Sequence, residues 1–86
     1  MSEHPEQRSM IDRLGEGHRL INADYPAGCW GWVKVSRPDL TLAVEDSARS
    51  IDTAILANDA TAFQRALRTY SKRWRAVFAA YRDSQA

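Results

Sequence analysis

The sequence predicts an all-α domain, a small helical bundle dominated by a C-terminal antiparallel αα-hairpin over about 38–57 and 60–83. Three observations carry this expectation. Apolar residues recur at spacings of three and four across 38–58 and again across 60–82, which marks one face of a helix in each case. No Gly or Pro interrupts the second run, and only Asn58-Asp59 stands between the two. A connection that short turns the second helix back along the first. At 86 residues the chain is long enough for one domain, with residues 1–8 read as a flexible N-terminus and 9–86 as the helical domain.

The elements follow in chain order. Over 9–23, Met10, Ile11, Leu14, His18 and Ile21 lie on one helical face, and Ser9 with Asp12 fits a cap. Gly15 and Gly17 each cost such a helix about 0.8–1 kcal/mol, so it depends on tertiary contacts. Residues 26–36 alternate Trp30, Trp32 and Lys34 with Gly31, Val33 and Val35 as a strand does, yet no second strand is available to pair with them. A short helix opened by Pro26 and packed across the open end of the hairpin, near Phe78 and Tyr81, is the preferred reading.

The first hairpin helix starts at Pro38, with Ser36 or Arg37 as its cap. Leu40, Val44, Ala48, Ile51 and Ile55 form its apolar face, set against Phe63, Leu67, Tyr70, Trp74 and Phe78 on the second helix. Small residues then face large ones, as interdigitating layers require. This register puts Trp74 at the centre of the hairpin seam and brings Glu45 towards Arg73 and Asp46 towards Lys72. Leu42 and Leu56 project from the other side of the first helix, as a dock for the N-terminal helix or as a self-association surface.

Charge narrows the functional classes. Twelve basic and eleven acidic residues leave a net +1, but residues 38–59 carry −4 and residues 60–86 carry +5. A sequence pI near 7.9 is low for a dedicated nucleic-acid binder. No stretch of about 18 apolar residues is present, so no membrane helix is expected. The polar, acidic N-terminus lacks the pattern of a signal peptide, and the single Cys29 has no disulfide partner, which together point to the cytoplasm.

No constellation for catalysis emerges. His4, His18 and Cys29 are 14 and 11 residues apart, without the paired spacing of a zinc site, so neither a metal nor another cofactor is expected. Cys29 and His18 lack an evident orienting group, and Cys29 reads as an inert buried thiol. Gly15-Glu16-Gly17 has neither the preceding strand nor the following lysine of a phosphate loop. Glu45 and Asp46 are adjacent and point to different sides of a helix, which does not suit shared acid–base work.

Binding is the remaining class. Trp30 and Trp32 stand about 200° apart on a helix, so one of them is expected to be partly exposed and able to anchor a contact. Arg65, Arg68, Lys72, Arg75 and Arg82 fall on the outer side of the last helix and form a basic stripe. The sequence therefore predicts a non-enzymatic protein-interaction or accessory domain, with Trp30, Trp32, Arg65, Arg68, Lys72 and Arg75 as contact residues. A protein partner or self-association is the leading expectation. A nucleic-acid partner held through the basic stripe is the alternative, and a membrane partner is not expected.

Overall fold

A computed structural model describes residues 5–86. It contains four helices: α1 (Pro5–Asp24), α2 (Cys29–Ser36), α3 (Pro38–Leu56) and α4 (Ala60–Gln85). No strand occurs among the described residues, and α3 and α4 pack most closely of any pair. The hairpin is therefore present, and the segment 26–36 forms a turn followed by a short helix over 29–36 rather than an extended strand.

The turn between α3 and α4 is built from the two residues that separate their apolar runs. Asn58 adopts a left-handed conformation at φ 54°, which its short polar side chain tolerates. This lets the Asp59 N–H donate to the Ala54 carbonyl at 2.9 Å and the Asn58 N–H to Ile55 at 3.0 Å, closing the end of α3. The Asp59 side chain then accepts from the Ala62 N–H at 3.0 Å and caps α4. One dipeptide both stops the first helix and starts the second.

The seam buries Val44, Ile51, Ala54, Phe63 and Val77, each at most 4% exposed. Ser47 also lies in it, satisfied by its own helix through the carbonyls of Ala43 and Val44, so α4 can approach closely without leaving a polar atom unpaired. The register differs from expectation at the ion pair. Arg73, not Lys72, reaches Asp46, at 3.6 Å, and donates to the Ala43 carbonyl at 2.6 Å, while Lys72 points to solvent.

Two further expectations about the ends need correction. α1 begins at Pro5, so residues 5–8 are helical and Ser9 and Asp12 lie inside the helix rather than capping it. Pro5 suits a first helical position because its fixed φ is already helical. At the α2–α3 junction Arg37, one of the two expected candidates, is the cap residue of α3, without a side-chain cap bond, and its guanidinium forms a bidentate pair with Asp39 at 3.1 and 3.0 Å. Pro26 does not open α2. Gly28 does, at φ 79°, a left-handed conformation that glycine adopts without strain.

α2 crosses the open end of the hairpin. The Tyr81 hydroxyl donates to the Ala27 carbonyl at 3.0 Å, and the Trp30 N–H donates to the Tyr25 hydroxyl at 2.9 Å, which satisfies a free donor in the first turn of α2. α1 lies in the groove of the hairpin and runs parallel to α4. Gln7 Nε2 donates to the Ile55 carbonyl near the closed end, and His18 Nε2 meets the Tyr70 hydroxyl halfway up, both at 3.0 Å. Leu42 and Leu56 remain 62% and 82% exposed, so they are not where α1 docks.

Candidate functional site

The basic stripe is divided by the bundle. Arg65 lines a depression between α3 and α4 together with Asp46 and Arg73. Lys72 and Arg82 face solvent. Arg68 and Arg75 turn towards α1, where Arg13 joins them. Among the described residues Arg13, Arg68 and Arg75 form no ion pair; Arg75 Nε makes only a long 3.5 Å contact to its own helix at the Ser71 carbonyl.

Between α1 and α4 runs a groove made of two contiguous hollows of about 270 and 400 Å³ that share Ser71 and Arg75. Its walls are two helical ridges. Arg13, Gly17, Leu20 and Asp24 follow spacings of four, three and four on α1, and Gln64, Arg68, Ser71 and Arg75 follow the same spacings on α4. Parallel helices place the basic positions Arg13 and Arg68 in the lower part. The upper part is largely apolar, floored by Ile21, Trp74 and Phe78 and edged by Leu20, with Asp24 and Arg75 beside it. Gly17 narrows the wall where the helices approach, since a Cβ there would meet Leu67 Cδ1 at 3.5 Å.

Trp74 belongs to this region rather than to the hairpin seam. It is half-buried, and its ring contacts are Trp30 at 5.2 Å, Phe78 at 5.6 Å, Tyr25 at 6.0 Å and Tyr70 at 6.4 Å. The pairs with Tyr25 and Tyr70 are edge-to-face, an arrangement that aromatic quadrupoles favour, and those with Trp30 and Phe78 are tilted. Its indole Nε1 is buried without an acceptor among the described residues. Trp74 thus links the aromatic cluster under α2 to the floor of the groove.

Trp30 and Trp32 are both half-buried, so each of them, rather than one alone, is partly exposed. Trp30 lies against Trp74, and Trp32 packs edge-on to Tyr81 at 5.8 Å. Only their outer surfaces are available to a partner, because α2 is seated on the aromatic end of α4.

Cys29 is fully buried, and that burial pushes its thiol above the usual range, with Arg82 offsetting part of the shift. A thiol held protonated is a poor nucleophile. His18, which spacing sets on the apolar face of α1, is exposed despite its contact with Tyr70, and Cys29 is not among its partners. His4 lies outside the described residues. Among those described, no three His, Cys, Asp or Glu side chains are grouped closely enough to hold a metal ion.

Sequence reasoning singles out Arg68 and Arg75 but misses Arg13, Gly17, Leu20 and Asp24. Their 4-3-4 spacing was visible, but it sits beside the apolar face of Met10, Leu14 and Ile21, and only the docking of α1 gives it a partner ridge. No protein-family model matches the chain, and comparison with curated proteins and with solved structures likewise finds no match.

Proposed function

We propose that the chain is a small non-enzymatic protein-interaction or accessory domain of the cytoplasm. Its contact surface combines Arg68 and Arg75, the groove-facing part of the basic face of α4, with the aromatic end of the bundle, where Trp30 lies against Trp74 and Trp32 against Tyr81. The observation that carries this reading is the α1–α4 groove, in which three arginines without ion partners among the described residues adjoin an apolar floor. Unpaired cations at a rim attract an acidic partner and raise its association rate, while a half-buried aromatic floor supplies apolar contact area. Leu20, 56% exposed at the groove edge, supports a partner with apolar as well as charged groups.

A nucleic-acid reading has one observation in its favour: Arg65, Arg68 and Lys72 also lack ion pairs among the described residues. Capture from native lysate on immobilised protein, with and without nuclease, separates the two readings. The interaction reading expects a protein retained after nuclease and lost when Arg68→Glu and Arg75→Glu are combined. Capture abolished by nuclease moves the assignment to nucleic acid.

A further inference from the structure

We infer that the α1–α4 groove receives an acidic amphipathic helix of a partner protein, laid lengthwise between the two ridges. The inference rests on the interaction reading and adds the chemistry of the occupant. From Gln64 to Phe78 the groove spans 14 residues of α4, about 21 Å at 1.5 Å per residue, or close to four helical turns. An open trough of that length fits a helix better than a compact small molecule, which is usually enclosed.

Its charge is distributed along this length. Arg68 and Arg75 stand two turns apart, about 10 Å, and Arg13 faces them from α1. Carboxylates two turns apart on the partner meet this spacing, and paired arginines hold carboxylates in bidentate fashion. Beyond Arg75 the lining is Leu20, Ile21, Trp74 and Phe78 with the Asp24 carboxylate beside them, which repels a further carboxylate, so the partner must turn apolar there. A nucleic-acid backbone carries a phosphate at every step and would meet the same apolar stretch and the Asp24 carboxylate. The groove therefore favours an occupant whose charge stops partway, as it does on an amphipathic helix with an acidic and an apolar end.

The test uses a synthetic peptide of about 15 residues with glutamates two turns apart and leucines one turn further along the same face, made in both chain directions. Binding to the full chain is followed by fluorescence anisotropy. One direction should bind at least tenfold more tightly than a peptide of the same composition in permuted order. Arg68→Glu with Arg75→Glu should weaken that binding at least tenfold, and Leu20→Ser at least threefold. Arg65→Glu and Lys72→Glu, which lie outside the groove, should change it less than twofold. All these positions are exposed or at a groove edge, and circular dichroism verifies that each variant remains folded.

Equal binding of ordered and permuted peptides overturns the inference, as does equal loss in all four charge reversals with none in Leu20→Ser. If neither direction binds while a nuclease-resistant protein is still captured from lysate and lost on reversing Arg68 and Arg75, the acidic-helix occupant is wrong and the interaction reading stands. If that capture is absent too, both fall.

Discussion

Gly15 and Gly28 show how the same residue type plays opposite parts in one chain. A Cβ at Gly15 would meet nothing within 4 Å, so its cost is the backbone freedom lost in a helix. Gly15→Ala should stabilise the protein by roughly 0.8–1 kcal/mol, a rise in melting temperature of about 4–8 °C for a domain of this size. At Gly28 the φ of +79° makes any side chain strained, and Gly28→Ala should lower the melting temperature instead. Cys29 adds a pH effect. Its folded-state pKa is raised by burial, so the unfolded chain releases this proton more readily. The resulting stability is fully present below the ordinary thiol range of roughly 8.5 and declines as pH rises through and beyond it. Urea unfolding at pH 7.5 and 9.5 should show a larger loss for the parent than for Cys29→Ala. Equal losses would mean that the buried thiol contributes nothing to the alkaline limb.

At the scale of elements, the two long helices are legible in the sequence because their apolar stripes are long and the Asn58-Asp59 punctuation is local. What is not legible is how a third helix competes for the same faces. Trp74 fits the hairpin stripe by spacing, yet α1 and α2 draw it into the cluster of Tyr25, Trp30, Tyr70 and Phe78. Phe63, 0% exposed, is the residue that fills the seam near the turn. Phe63→Ala should therefore cost about 4–5 kcal/mol and Trp74→Ala nearer 3 kcal/mol, the upper and lower parts of the range for aromatic truncation. Chemical denaturation that ranks Trp74→Ala as the more damaging would return it to the seam. The candidate contact groove is half legible for a related reason. The arginines of α4 announce themselves by spacing, whereas Arg13 and Leu20 acquire meaning only when α1 is set beside them.

Across the whole molecule, extents of 50 × 23 × 20 Å describe an elongated bundle in which each helix relies on its neighbours along its length. That reliance is uneven. α3 buries five residues and α4 four, but of the 20 residues of α1 only Met10 is fully buried. α1 also carries two of the three glycines that lie within helices, and its ties to the hairpin include single hydrogen bonds at Gln7 and His18. With Met10 as its one fully buried side chain and Leu14 and Ile21 only partly buried, α1 should detach at less free energy than global unfolding requires. Native-state hydrogen exchange should place the amides of α1 in a separate, lower-energy opening than those of α3 and α4. Because α1 provides one wall of the groove, an occupant held by Arg13 and Leu20 binds only the docked state and must raise that opening energy by mass action. Saturating peptide should slow exchange throughout α1, at positions it does not touch as well as those it does, with a smaller change in α3. Uniform protection in the free protein, with α1 and the hairpin exchanging at one free energy, would instead show that the four helices open as a single unit.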